Sequence, residues 1–373
     1  MSVERGKMQR KEVRRALITG GAGFIGSNLA ERLLSTPDVH VRVFDNLSRP
    51  GVSQNVEWLR SLPGSGRLQV IQGDVRDARA VTQAARGVTE IYHLAAQVAV
   101  TTSVDDPVGD FEVNANGTLN VLEAARRCGS EPFVLFTSTN KVYGSLPNLP
   151  IEKEKTHYRA IVPGFRGIDE SQPLDFHSPY GCSKGTADQY VHDYARIYGL
   201  PTVVFRMSCI AGPRQLGNED QGWVAHFLYS VLGHRAITIY GDGCQVRDIL
   251  HVHDLIDAMQ AVYHAQDGTR GQVYNLGGGM ERAASVMEML EQISALTGEP
   301  LKLNYSNVRP GDQPLYIADT AKLQKHTGWK PQRTLRDTLE SILNFWNRHL
   351  AKPHSELTKD HADLAPALQQ EVA

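Results

Sequence analysis

A short apolar run, Arg15-Ala16-Leu17-Ile18-Thr19, opens directly into Gly20-Gly21-Ala22-Gly23-Phe24-Ile25-Gly26, and apolar residues from Phe24 to Leu34 then recur with helical spacing. A strand that ends in a glycine turn and feeds a helix leaves few folds open. The first N–H groups of such a helix have no intrahelical acceptor and carry the positive end of its dipole, so they form a seat for phosphate. Gly20, Gly23 and Gly26 hold one residue more between the first two than G-x-G-x-x-G has, and alone they are a weak signal. The preceding strand, the following helix and Asp45, an acidic residue ending a second strand roughly 20 residues on, supply the missing specificity. A carboxylate there accepts hydrogen bonds from both ribose hydroxyls and repels a 2′-phosphate, which favours NAD over NADP. Arg49 nearby is the one residue that points the other way. Phe24, Ile25 and Asn46 belong to the same expected cofactor site, with Asp74 and Val75 flanking the adenine and Leu94-Ala95-Ala96 passing close beside the cofactor.

Further apolar runs at 41–44, 68–71, 91–94, 133–136 and 202–205 alternate with helix-like stretches at about 77–86, 107–127 and 180–199. Strands alternating with helices predict an α/β fold, a Rossmann-type doubly wound parallel sheet. Past Gly212 the pattern turns mixed, which predicts a smaller, mixed α/β substrate-binding domain. The expected division gives residues 14–206 with part of 244–276 to the dinucleotide-binding domain, and 207–243 with 277–350 to the smaller one. Residues 1–13 and 351–373 read as flexible termini.

A formal net charge of −2 provides no global field for nucleic acid or an anionic membrane. Neither a secretory h-region nor an apolar run of bilayer length is present, and four scattered cysteines suit reduced thiols. The expected location is cytoplasmic. His251 and His253 read as two imidazoles on one face of a strand without a third ligand, so no metal is expected.

Tyr180 and Lys184 lie one helical turn apart in Ser178-Pro179-Tyr180-Gly181-Cys182-Ser183-Lys184, so both side chains can enter one cleft. A phenol beside an ammonium group suits proton removal from an alcohol. With a reference pKa near 10, the phenol must lose about three units to act near neutrality, roughly 4 kcal/mol of preferential phenolate stabilisation. Lysine and a positive nicotinamide ring can share that task. Thr139, just past the fifth strand, stands at the carboxyl edge where such sheets bind ligands.

The segments T-G-G-A-G-F-I-G, H-L-A-A-Q, S-T-N-K-V-Y-G, Y-G-C-S-K and G-D-G-C-Q-V-R-D together resemble the extended short-chain dehydrogenases/reductases that act on nucleotide sugars, from about Arg15 to His349. The resemblance implies Thr139, Tyr180 and Lys184 as catalytic residues, NAD retained through turnover, a nucleotide-diphosphate sugar as substrate, and a homodimer or homotetramer. It also implies that Arg247 and Arg309 grip the substrate diphosphate, and that Asn140, Arg206 and Gln221 contact the substrate. Members that dehydrate the sugar carry Asp-Glu after the threonine, because elimination needs a second acid and base. Here the pair is Asn140-Lys141, which favours epimerisation.

Within the family, Ser138–Gly144, Leu174–Lys184 and Asp220–Val224 are similar to the subgroup that inverts carbon 2 of CDP-linked dideoxyhexoses. That similarity extends to segment 145–178, where Tyr158, Arg159, Phe165 and Arg166 are expected to cover the active site. Met207, Cys209 and Ala211 depart from the usual pattern after Arg206. Trp223 reads either as core or as a flank to the sugar nucleotide. A UDP-hexose 4-epimerase shares every catalytic residue, and a non-catalytic NAD sensor is the alternative of another class.

Overall fold

The computed structural model describes residues 13–309 and 312–350. The termini expected to be flexible lie outside the described residues, apart from Val13. The framework is a seven-stranded sheet in which every pairing is parallel. Five strands are β1 (Arg14–Thr19), β2 (Val39–Asp45), β3 (Leu68–Gln72), β4 (Glu90–His93) and β5 (Phe133–Thr139). Across the sheet the order is Gln272–Leu276, Thr202–Met207, β5, β4, β1, β2, β3.

Burial explains this arrangement: β4 and β5 are buried at every residue, as near-continuous apolar strands covered on both faces must be. One face packs against helix Phe24–Leu34 and helix Val252–His264 around Leu29, Leu33, Leu255 and Met259. On the other, helices Gly117–Arg127 and Ser178–Tyr198 pack around Val121, Leu122, Val191 and Phe136. The strand order reverses beside β1, which pairs with both β2 and β4, so the crevice opens at the carboxyl ends of β1 and β4.

Strands Cys209–Ala211, Val246–His251, Ala283–Ser285 and Leu315–Tyr316 form a smaller mixed sheet above that edge. Its core of Leu228, Ile237, Ile249, Leu290 and Ile293 is separate from the two layers on the large sheet. Among the described residues no helix is long and apolar enough to cross a membrane.

The helix expected over 107–127 is interrupted. Pro107–Phe111 and Gly117–Arg127 are α-helical, and Glu112–Asn116 between them takes a π turn. Inserting one residue into a helix re-aims the side chains around it, and such turns cluster near functional sites. His251 ends its strand and His253 lies in the first turn of the following helix, where the His251 Nδ1 accepts the His253 N–H at 3.0 Å. This corrects the expectation of two imidazoles on one strand face: His251 is a helix cap.

Candidate active site

The glycine turn closes on itself because there is no room for side chains. Gly20 has φ +69°, and a Cβ there would lie 2.7 Å from the Ala95 nitrogen. At Gly26 it would lie 2.3 Å from the Gly20 carbonyl oxygen. Gly23 caps the helix without a side-chain bond, and no acidic residue occupies the first turn. The first-turn N–H groups are therefore open to an anion. Asp45 stands beside the turn, its Oδ2 accepting the Ala22 N–H at 3.0 Å and its Oδ1 the Leu47 N–H at 2.9 Å. Asn46 donates to Asp74 at 3.0 Å, and Arg76 forks onto the same carboxylate, holding it well below the usual range. Val75 is packed in the core, and Leu94-Ala95-Ala96 runs behind Gly20. An uncapped helix start with a carboxylate at the end of the neighbouring strand fits a dinucleotide such as NAD.

Helix Ser178–Tyr198 begins with Pro179 in its first turn and ends at Gly199, in the left-handed region at φ +67°. Its first turns carry Tyr180 and Lys184, 8% and 3% exposed. The Lys184 Nζ donates to the Thr137 carbonyl at 2.7 Å and sits 4.1 Å from the centre of the Phe136 ring. Burial pushes this ammonium down to about 7, against the fields of Asp188 and Asp110. Burial pushes the Tyr180 phenol up to about 12, while a hydrogen bond with Thr139 and the charge of Arg49 pull it back. Thr139, at the end of β5, also caps the next turn by accepting the Lys141 N–H at 3.2 Å. Thr139 and Tyr180 thus meet, while the Lys184 ammonium, one turn on, is held at the Thr137 carbonyl and does not line the cavity described below. In the protein alone the phenol is protonated, and ionisation requires further positive charge beside it.

A buried network behind this pair was not legible in the sequence. Ser183 donates to Asp110, Asn114 donates to Asp110 at 3.0 Å and to Ser183 at 3.1 Å, and the Gln97 N–H donates to Asn114 at 3.0 Å. Asn114 lies in the π turn, and Ser183 immediately precedes Lys184, so the network locks the tyrosine helix to the strand-end loop after β4. Only the two-way bonding of Asn114 to Gln97 hints at why the helix is broken there.

Tyr180 and Thr139 line a cavity of about 910 Å³ that extends from Phe24 and Ile25 to Arg247 and Arg309. Asn140, Lys141 and Gln221 also line it, as do Met207, Cys209 and Trp223. Trp223 flanks the cavity, with its indole N–H 3.4 Å from the Cys209 sulfur, whereas Ala211 is buried. Asn140 donates to Gln313 at 3.0 Å, and Asp312 takes Arg247 at 2.6 Å and Lys141 at 3.4 Å. Burial lowers the Lys141 ammonium, with Arg247 acting in the same direction. Arg309 stacks 3.9 Å from the Tyr240 ring centre and reaches Asp220 at 3.4 Å. Ser138 Oγ, buried in the cavity wall, has no hydrogen-bond partner among the described residues, a feature that sequence reasoning missed.

Two expectations need correction. Arg206 does not line the cavity: it is 5% exposed, and its guanidinium forks onto the buried Asp188 at 2.7 and 2.9 Å and bonds the Tyr143 hydroxyl at 3.0 Å. A buried carboxylate claims it before any substrate can. Nor do Tyr158, Arg159, Phe165 and Arg166 line the cavity. The hairpin of Ile151–Lys153 and Tyr158–Ala160 docks sideways, with Tyr158 donating to Asp242 at 2.8 Å and Arg159 paired with Glu152 and Glu154. Phe165 is packed between apolar clusters and Arg166 reaches Asp319 at 3.5 Å. Among the described residues, no group of three or more His, Cys, Asp or Glu side chains is placed to hold a metal ion.

Comparison with known proteins agrees with this geometry. A family model described as GDP-mannose 4,6 dehydratase matches residues 17–342. The chain is 41% identical over 339 residues to CDP-paratose 2-epimerase of Salmonella typhi, covering 88% of this chain and 98% of that protein. It is 33% identical over 334 residues to UDP-glucose 4-epimerase of Mycolicibacterium smegmatis, covering 89% and 98%. Among solved structures, UDP-glucuronic acid 4-epimerase from Bacillus cereus, in complex with UDP-glucuronic acid and NAD, superposes with a TM-score of 0.77. That pair is 27% identical, over 90% of this chain and 99% of the other.

Proposed function

The chain belongs to the NAD-dependent epimerase/dehydratase family, the extended short-chain dehydrogenases/reductases that act on nucleotide sugars, and from that premise we propose that it epimerises a sugar carbon by transient oxidation. The preferred substrate is a CDP-linked dideoxyhexose inverted at carbon 2, in the manner of a CDP-paratose 2-epimerase. NAD, held at the glycine turn and Asp45, supplies the hydride acceptor and donor.

The protein's own part is proton transfer and orientation. Tyr180 takes the hydroxyl proton from the sugar carbon that is oxidised, and returns it when the carbonyl is reduced. Thr139 bonds the phenol and directs it toward the substrate oxygen. Lys184, as an ammonium, stabilises the phenolate; its depressed pKa of about 7 makes its charge responsive to negative charge arriving beside it. Arg247 and Arg309 hold the diphosphate, with guanidinium forks suited to paired phosphate oxygens. Between the two half-reactions the keto-sugar turns, so that the opposite face meets the returning hydride.

The observation that carries the choice of epimerisation is the pair after Thr139. Asn140 is bound to Gln313 and Lys141 to Asp312, so the two positions after Thr139 present an amide and an ammonium in place of the acid and base that elimination uses there. The similarity to the Salmonella typhi protein supports carbon 2 and the CDP group. The UDP-glucose 4-epimerase relative supports the second reading, inversion of carbon 4 in a UDP-hexose.

Denaturing release of the copurified cofactor, followed by NMR of products from CDP-, UDP- and GDP-linked sugars, tests both parts. The proposal expects NAD in the supernatant and inversion of carbon 2 in a CDP-linked dideoxyhexose. Exclusive inversion of carbon 4 in UDP-hexoses would replace it with the second reading, and a dehydrated product would remove epimerisation altogether.

A further inference from the structure

Lys141, just past Thr139 in the chain, brings an ammonium into the wall of the cavity that Thr139 and Tyr180 line. Its backbone is tied to the threonine, because the Lys141 N–H donates to the Thr139 Oγ at 3.2 Å. Its side chain reaches the residues proposed to hold the diphosphate. The Nζ donates to Asp312 Oδ1 at 3.4 Å, and the same oxygen takes Arg247 Nη2 at 2.6 Å. Asp312 and Arg247 line the cavity as well. A lysine fastened to the threonine at one end therefore stands beside a substrate arginine at the other.

Asp312 faces two cations at once. Burial and the charge of Arg247 both act against the Lys141 ammonium, opposed by Asp312, and an arriving anion would relieve that balance. A neutral sugar ring would not, since an ammonium enclosed against it loses water and gains no opposing charge. Phosphate oxygens supply both the charge and the acceptors. In a nucleotide sugar one phosphate is carried on the anomeric carbon. Carbon 2 is bonded to that carbon, whereas carbon 4 lies across the ring from it. A site that presents carbon 2 to Tyr180 must therefore hold a phosphate close to Thr139, and a site that presents carbon 4 holds it a ring's width away.

We propose that Lys141 is a specificity-determining residue that binds the phosphate on the anomeric carbon beside Arg247, and thereby sets carbon 2 rather than carbon 4 against Tyr180. This rests on the reading that the cleft inverts carbon 2 of a nucleotide-linked sugar. Asp312 holds both cations toward one oxygen, so the phosphate meets a pair already side by side. The same placement accounts for an ammonium where elimination would use an acid or base: the position serves the phosphate and not the ring carbons.

The test uses the full-length protein as purified, in wild type, Lys141→Met and Lys141→Arg, with Lys141→Gln in place of Lys141→Met should the latter be recovered unfolded. Calorimetry gives the affinities for CDP, which carries the phosphate that bears the sugar, and for CMP, which lacks it. NMR follows the product from the CDP-linked dideoxyhexose. The neutral variant should bind CDP about tenfold more weakly or worse, with CMP affinity within about twofold of wild type, because a charged hydrogen bond to one phosphate is lost. Inversion of carbon 2 should fall in kcat/KM by at least as much, and Lys141→Arg should recover most of both losses. If Lys141 only fastens the segment that carries Asp312, CDP and CMP weaken equally. That result, or an unchanged CDP affinity, would overturn the assignment. The reading beneath it fails on wild type alone, by inversion of carbon 4 in UDP-hexoses instead, whatever the variants bind.

Discussion

Replacing Lys184 with methionine should remove a pH-dependent weakness from the cofactor-free protein. The lysine is 3% exposed, and its folded-state pKa is about 7 against an ordinary value of 10.5. A folded state that binds the proton less firmly than the unfolded chain loses stability as pH falls through that interval. The contribution is fully present above 10.5 and disappears as pH approaches 7. At 1.36 kcal/mol per unit the whole gap is worth roughly 5 kcal/mol, of which roughly 2 kcal/mol falls between about pH 7 and about pH 9. That window is favourable. His93, pushed down to about 3 from 6.5, acts below it, and Tyr180, raised to about 12 from 10, acts above it. Lys141 and Lys322 are also depressed, but they contribute equally to both proteins and cancel in the comparison. Methionine leaves the Thr137 carbonyl without its 2.7 Å donor, at a cost of about 1–3 kcal/mol, so the difference in slope is more informative than stability at a single pH. Urea unfolding of stripped protein across the window should show wild type gaining about 2 kcal/mol more than Lys184→Met. Parallel curves would mean that Lys184 is an ordinary ammonium in the folded state, and its proposed responsiveness to charge would fall with them.

Tyr180→Phe should lower turnover by roughly a hundredfold or more while cofactor remains bound, measured by steady-state kinetics beside denaturing cofactor release. Gly26→Ala should lose cofactor and about 1–3 kcal/mol of stability, since its Cβ would meet the Gly20 oxygen at 2.3 Å; absorbance of the purified protein and its melting curve check both. Arg206→Leu should cost about 3–5 kcal/mol by stranding Asp188, yet leave KM for the nucleotide sugar within a few-fold at a temperature where the variant is folded, because Arg206 does not line the cavity.

The strands and the turn were legible because they obey local rules. Arg15–Thr19 is apolar where a central parallel strand must be, and Gly20 and Gly26 occupy positions where any Cβ collides with backbone. Tyr180 and Lys184 were legible because helical spacing is regular. What escaped depends on partners distant in the chain. Arg206 next to the strand end reads as a ligand contact until Asp188 is seen beneath it. The 107–127 helix reads as continuous because nothing local in Glu112–Asn116 marks a π turn; the turn coincides with the bonds of Asn114 to Gln97 and Ser183, which lie outside that helix. Segment 145–178 reads as a cover over the site, but Asp242 and Glu288, far along the chain, draw its hairpin onto the smaller sheet. The aim of Arg49 is set by Gln221, which no spacing rule connects to it.

Transient oxidation with return of the same hydride is tested most directly by running the reaction in deuterium oxide and following the inverted carbon by NMR. A hydrogen borrowed from that carbon and given back never mixes with solvent, so the product should carry protium there throughout conversion. Deuterium accumulating at the inverted carbon in step with turnover would show that the hydrogen left as a proton, and the chemistry assigned to Tyr180 and the cofactor would be wrong.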